Sequence, residues 1–207
     1  MRIKLAEVTE QDLAVFYQHQ QDPQACKMAD FPSRERQAFF EHWRTKVLGS
    51  ELAVARSIWI KSDSPELGET SFKQGGSPER DGSPEQNSNS EAREHWQLVG
   101  NIVSWQIPIE ASSPMIAGQK QQLASEHYIG YWIGREFWGK GIATRALNIF
   151  LNQHSPRPLL AWVAEHNTGS IKVLERNGFK QIEPVDFGFE VEQGMQLLLL
   201  EAESRKQ

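Results

Sequence analysis

The sequence predicts a single domain of the mixed α/β (α+β) class, and three observations point there. The chain has 207 residues, the size of one ordinary domain, and 39% of them are hydrophobic, enough for a core. Period-two and helical apolar spacings follow one another along most of its length. Their order reads β-α-α-β-β-β-α-β-α-β-β, which is not the strict alternation of a parallel βαβ fold.

Each element has its own signal. Arg2 to Val8 alternates as a strand, and Thr9 is placed to cap a helix that opens with Asp12 and carries Leu13, Phe16 and Tyr17. Ser33 to Leu48 predicts a second helix with Phe39, Phe40, Trp43 and Val47 on one face. Glu51 to Lys61 and Trp96 to Pro108 read as strands, hairpin partners with a greatly extended turn. After a polar stretch from Glu110 to Ser125 comes a strand from His127 to Ile133. A helix of about four turns follows, with Ala143, Ala146, Leu147, Phe150 and Leu151 on its apolar face, and Pro156 and Pro158 end it. Leu159 to Ala164 is a strand and Thr168 to Arg176 a short helix stopped by Asn177-Gly178. Phe179 to Pro184 and Met195 to Glu201 are the last strands.

Residues 62–94 break this pattern. The segment is rich in Ser, Gly, Pro and Glu, and only Leu67, Phe72 and Ala92 are apolar, so it is expected to be a disordered acidic insertion within the domain. It carries eight acidic and three basic residues, which accounts for the whole net charge of −5. The neutral remainder has no basic face, which argues against a nucleic-acid partner. The single cysteine, Cys26, rules out an intramolecular disulfide framework and suits a reducing compartment. No apolar run is long enough for a signal peptide or a membrane span, so a cytoplasmic protein is expected, monomeric or homodimeric.

The chemistry-bearing stretch is YWIGREFWGKGIATRALNIF, Tyr131 to Phe150. Gly139 and Gly141 bracket Lys140 where a strand gives way to a helix. A helix start exposes unpaired N–H groups at the positive end of the macrodipole, and glycines let phosphate oxygens approach them closely. The same glycines are equally compatible with a tight strand-to-helix turn and no ligand. Neither a P-loop nor a dinucleotide fingerprint fits, since GxxxxGK[ST] and a third glycine in register are both lacking. In AEHNTGSIKVLERNGFKQIE, Ala164 to Glu183, Asn167 is placed either as an N-cap or as a ligand contact.

Together the two segments resemble the GNAT superfamily of acetyl-CoA-dependent N-acetyltransferases, and within it the branch of the ribosomal-protein alanine acetyltransferases. The family's Gln/Arg-x-x-Gly-x-Gly/Ala pattern falls on Trp138-Gly139-Lys140-Gly141-Ile142-Ala143, with Trp at the first position. Its Asn-x-x-Ser falls on Asn167 to Ser170, ahead of Leu174-Glu175-Arg176-Asn177-Gly178-Phe179. The resemblance implies a mostly antiparallel sheet, splayed at the cofactor cleft, with helices on both faces. It implies acetyl-CoA as cosubstrate, held by Trp132, Ile133, Trp138, Gly139, Lys140, Gly141, Ile142, Ala143, Thr144, Asn167 and Ser170, and no metal.

The implied reaction is direct attack of a primary amine on the acetyl group. A base must take the amine proton, a backbone N–H must steady the oxyanion, and a donor must meet the departing thiolate. The family's frequent tyrosine acid is replaced here by Leu174, and Ser170 takes the role assigned to serine in the branch. Tyr128 stands where branch members carry Glu, and a further family carboxylate aligns near Glu190. Glu126, His127, Glu165 and His166 are neighbouring candidates. The acceptor is expected to be a protein N-terminus or a small amine, with contacts in Cys26 to Arg36 and in the variable inserts. The alternatives are an antibiotic-type acetyltransferase and a non-catalytic acyl-CoA sensor.

Overall fold

The computed structural model describes residues 1–61, 96–107, 126–154, 156–184 and 193–201. The insertion at 62–94 and the candidate base Glu190 lie outside them. The strands are β1 (Arg2–Glu7), β2 (Ala53–Lys61), β3 (Gln97–Ile107), β4 (Glu126–Ile133), β5 (Leu159–Ala164), β6 (Lys180–Ile182) and β7 (Met195–Leu200). The α-helices are α1 (Asp12–His19), α2 (Pro23–Ala29), α3 (Arg36–His42), α4 (Ile142–Gln153) and α5 (Thr168–Arg176). All seven strands form one sheet in the order β1-β2-β3-β4-β5-β7-β6. Every pairing is antiparallel except β4 with β5.

β2 and β3 pair as the hairpin expected from their patterns, from Ala53 opposite Trp105 to Ile60 opposite Gln97. β4 and β5 run parallel and meet at one register position only, Tyr128 opposite Leu160. Beyond it the strands separate, so a gap opens toward Ile133 on one side and Ala164 on the other. That gap interrupts the sheet without breaking the core.

Alternation along the strands fills both faces. One face packs Ile58, Ile102, Ile129, Leu159 and Leu198 against Ala146, Leu147 and Phe150 of α4 and Leu174 of α5. On α4 the buried set begins at Ile142 rather than Ala143, which is half-buried and turned toward the gap. The opposite face packs Ala55 and Val103 against Leu13 and Phe16 of α1 and Phe39 and Trp43. Phe16 and Trp43 meet at 5.0 Å between ring centroids, and Tyr17 meets Phe39 edge-on at 5.3 Å.

Four local features differ from the sequence reading. Thr9 does not cap α1; instead Asp12 reaches back, accepting the Thr9 N–H at 2.9 Å and the Ser57 hydroxyl at 2.6 Å. Asp12 is buried, so these bonds dock the helix on the sheet and satisfy a carboxylate removed from water. The helix expected from Ser33 to Leu48 begins at Arg36 and passes into a π-helical turn over Trp43–Leu48. That turn keeps Trp43 and Val47 on the core side. The strand expected from Phe179 to Pro184 narrows to Lys180–Ile182 because Phe179 closes the α5 cap, its N–H bonded to the Leu174 carbonyl. Finally, α2 forms where no helix was expected, started by the Asp22 carboxylate accepting the Ala25 N–H at 2.9 Å and by Pro23 in its first turn.

No described helix is long and apolar enough to cross a membrane.

Candidate functional site

The gap between β4 and β5 continues into a cleft of about 400 Å³ walled by β4, the β4–α4 turn, α4 and α5, with α2 across it. β4 hands over to a single 3-10 turn, Arg135–Phe137. Phe137 is buried, and the Trp138 indole N–H donates to the Ile133 carbonyl at 2.8 Å, folding the turn back on the end of the strand. The chain then passes Gly139 and Gly141, both at φ 71°. L-residues with a side chain rarely adopt that backbone, so the two glycines are required by the turn. A Cβ placed on either would meet nothing within 4 Å, so the space in front of both is open.

Gly141 is the N-cap of α4, and the first intrahelical bond runs from the Arg145 N–H to the Gly141 carbonyl at 3.2 Å. The N–H groups of Ile142, Ala143 and Thr144 precede it and have no acceptor within the helix. Backbone donors, an open approach and the positive end of a helix therefore coincide, which is the donor set an anion such as a pyrophosphate requires. The tight turn read from the sequence is present, and it leaves these N–H groups facing open space.

Lys140 behaves differently from its place in the motif. Its ammonium donates to the Glu136 carbonyl at 2.9 Å and sits 5.5 Å above the Phe137 ring, so it is folded against its own turn. Among the eleven residues expected to hold the cofactor, the other ten line the cleft.

α5 supplies the opposite wall. Asn167 caps it, its side-chain oxygen accepting the Ser170 N–H at 3.1 Å. Asn167 thus serves as the N-cap and also lines the cleft. At the far end, Asn177 donates to the Val173 carbonyl at 2.8 Å and to the Thr144 carbonyl at 3.2 Å. That amide braces the last turn of α5 against the first turn of α4. The cradle therefore neighbours the C-terminal end of α5, while Asn167 and Ser170 stand at the end remote from it.

The sequence reading missed three contributors. α2 lays Ala25, Met28 and Ala29 over the cleft and is tied to both rims. Asp22 receives the Arg135 Nε–H at 2.6 Å, and the His166 Nε2–H donates to the Lys27 carbonyl at 2.8 Å. The signal for α2, an Asp directly followed by Pro, was present in the sequence. The second contributor is the Tyr131 phenol, which donates to the Ser170 carbonyl at 3.4 Å and whose pKa burial pushes up to about 12. The third is the pair Lys172 and Arg176, four residues apart on α5 and facing the cleft.

Tyr128 lies at the one contact between β4 and β5, buried and stacked on Trp105 at 5.7 Å. Its hydroxyl donates to Glu126, and burial together with that carboxylate raises its pKa above the ordinary phenol range. At neutral pH it is a donor held by Glu126. His127 is half-buried on the same strand. Among the described residues no cluster of three His, Cys, Asp or Glu side chains is placed to hold a metal.

The family model for the acetyltransferase (GNAT) domain matches residues 2–180. The chain belongs to the GNAT acetyltransferase family. Solved structures share this GNAT fold at low identity. An aminoglycoside acetyltransferase in complex with coenzyme A is 14% identical with a TM-score of 0.58, over 97% of this chain and 95% of that one. Spermidine N-acetyltransferase from Vibrio cholerae, in complex with CoA and spermine, is 13% identical with a TM-score of 0.58, over 96% and 95%. Mycobacterium smegmatis RimJ in complex with CoA-disulfide is 18% identical with a TM-score of 0.55, over 99% and 84%. No curated protein sequence matches the chain.

Proposed function

We propose that this GNAT protein is an acetyl-CoA-dependent N-acetyltransferase that passes the acetyl group directly to a primary amine, with a protein N-terminal amine as acceptor. The observation that carries the reading is the joining of a glycine-lined helix start to a strand gap bordered by Asn167 and Ser170. The open space at Gly139 and Gly141 fits a pyrophosphate, and the gap beyond β4's single contact with β5 leaves strand backbone for a pantetheine amide arm. Acetyl-CoA supplies, when bound, an activated acetyl thioester.

The positions of the side chains support the following roles. The amides of Gly141 to Thr144 bind phosphate, and Asn177 holds them at a fixed distance from α5. α2 keeps water from the cleft through Ala25, Met28 and Ala29. Ser170 donates its hydroxyl proton toward the departing sulfur, which becomes a better acceptor as negative charge grows on it. A backbone N–H of β4 steadies the developing oxyanion. Glu126, which the Tyr128 hydroxyl holds next to the β4–β5 contact and outside the cleft lining, accepts the amine proton through a water.

The peptide acceptor rests on the likeness of the Trp138–Ala143 and Asn167–Phe179 motifs to the ribosomal-protein alanine acetyltransferases, and RimJ is among the proteins that share the fold. An acyl-CoA sensor is the second reading, favoured by Leu174 in place of the frequent tyrosine acid and by a Tyr128 that stays protonated. A thiol-release assay with acetyl-CoA against N-terminal-alanine peptides, polyamines and aminoglycosides, with products identified by mass, tests these readings. Release that requires a peptide with a free N-terminus supports the proposal. Release with a polyamine or aminoglycoside alone replaces the acceptor class, and acetyl-CoA binding without release from any amine supports the sensor.

A further inference from the structure

Two glycines in the strands beside the cleft are present for different reasons. A Cβ at Gly100 would stand 2.0 Å from the Trp132 carbonyl oxygen, so β3 has no room for a side chain there. Gly130 is under no such constraint. It lies in the regular backbone of β4 and is not among the positive-φ glycines. A Cβ there would meet only the Trp105 indole among the described residues, its nearest carbons at 3.6 and 3.7 Å, which is ordinary contact. A small side chain would fit, yet a glycine inside a strand weakens it and often marks the close approach of a ligand.

Aromatic rings surround this bare stretch of backbone. Tyr128, Gly130 and Trp132 share one face of β4 by alternation. Trp105 stands opposite Tyr128 in the β3–β4 register and stacks on it at 5.7 Å, with the far edge of its six-membered ring reaching Gly130. From β5, Trp162 packs on Tyr128 and hydrogen-bonds its hydroxyl. Tyr128 is thus held from both sides and fixes the indole in place.

The same point lies at the thioester end of the cleft. The Tyr131 phenol reaches the Ser170 carbonyl at 3.4 Å, so Ser170 stands across the gap from this part of β4. Gly130 is the next residue toward Tyr128, where β4 meets β5 and the gap closes. An acyl chain leaving a sulfur at Ser170 therefore has a narrowing gap ahead of it, with Gly130 as floor and the indole on the β3 side.

We propose that Trp105 is the wall that limits acyl chain length in this protein: an acetyl group fits over Gly130, and a longer chain meets the indole. This role rests on the acetyl-CoA reading and adds a residue that sets which thioester is accepted. One methylene too many for a closed pocket costs about ten- to two-hundredfold. Once room exists, each methylene buried gains about fourfold in affinity.

Isothermal titration of the full chain with CoA, acetyl-CoA and butyryl-CoA tests this without an acceptor. The wild type is expected to bind acetyl-CoA at least about tenfold more tightly than butyryl-CoA. Trp105→Ala is expected to bind CoA and acetyl-CoA much as the wild type does, and butyryl-CoA at least as tightly as acetyl-CoA. Equal binding of acetyl-CoA and butyryl-CoA by the wild type overturns the wall and leaves the CoA reading standing. A folded Trp105→Ala protein that keeps the wild-type preference overturns it too. Binding of none of the three compounds by the wild type defeats the CoA reading itself. Should Trp105→Ala not fold, Gly130→Ala decides, because its methyl fits the empty protein at ordinary contact distance. It is expected to bind CoA as the wild type does and acetyl-CoA about three- to tenfold more weakly. Unchanged affinity for acetyl-CoA, or an equal loss for both compounds, overturns the proposal.

Discussion

Gly141→Val is the sharpest perturbation of the cradle, and the structure separates its two effects. Gly141 sits at φ 71°, where a residue with a Cβ is disfavoured by about 1–2 kcal/mol. Nothing lies within 4 Å of the position its Cβ would take, so the Cβ itself adds no clash to that cost in the unliganded protein. For a chain of this size the melting temperature should fall by roughly 2–8 °C. The same open space is the approach to the N–H groups of Ile142, Ala143 and Thr144, and a branched side chain would occupy it. Losing two or so hydrogen bonds to a charged ligand costs about 2–4 kcal/mol, or roughly 30- to 700-fold in Kd. Gly194→Val is the matched control, at φ 78° with nothing within 4 Å of its Cβ and outside the cleft lining. Calorimetry with acetyl-CoA and a thermal melt should find similar destabilisation in both variants and weakened binding only in Gly141→Val. Unchanged affinity in a folded Gly141→Val protein would refute the cradle, as would equal weakening by Gly194→Val.

Three further expectations follow from other parts of the molecule. Replacing residues 62–94 by a short Gly-Ser turn should leave the β2–β3 register intact and change stability by about 1 kcal/mol, since closure entropy varies slowly with loop length; a large drop in melting temperature would contradict an unpacked insertion. Asn177→Ala removes the brace between the Thr144 and Val173 carbonyls, so stability should fall by about 1–2 kcal/mol and acetyl-CoA affinity severalfold; unaltered affinity would show that α4 and α5 keep their spacing without it. The buried His19 imidazole has its pKa lowered by burial, with Glu136 partly opposing, so its neutral form is the one the fold favours. Its contribution is present above the ordinary imidazole value of about 6.5 and lost as pH falls through the lower folded value. Melting temperature should therefore decline below about pH 6.5, and His19→Gln should remove part of that decline, His42 and His154 being shifted the same way. An unchanged slope in the variant would contradict this role.

The strands and α4 and α5 were legible because each carries a periodic apolar set or a cap that the core then uses, such as Leu147 and Phe150 or Asn177-Gly178. The glycine turn at the α4 start was legible for the same reason, since positive φ at a helix start leaves glycine as its mark. α2 was not, because with only Ala25 buried it shows no apolar stripe and is held by Asp22 and by ties to Arg135 and His166. The fate of Lys140 was equally invisible. Sequence places a cation beside the glycines, while only the fold decides that its ammonium turns back to Glu136 and that Lys172 and Arg176 line the cleft. Whether Thr9 caps Asp12 or Asp12 caps Thr9 depended on Ser57, a partner 45 residues away on β2.

The measurement that bears most directly on the central claim is the effect of Ser170→Ala on kcat and on acetyl-CoA affinity, taken side by side with the acceptor that the panel identifies. Ser170 stands at the cleft end remote from the cradle, where the thioester must lie if the phosphates sit on α4. Loss of a donor that acts on a growing thiolate should lower kcat by about ten- to a thousandfold while Kd changes by no more than a few-fold. A kcat that survives the substitution, or a fall in kcat matched by an equal loss of affinity, would contradict the assignment of this cleft end as the place where the acetyl group changes hands.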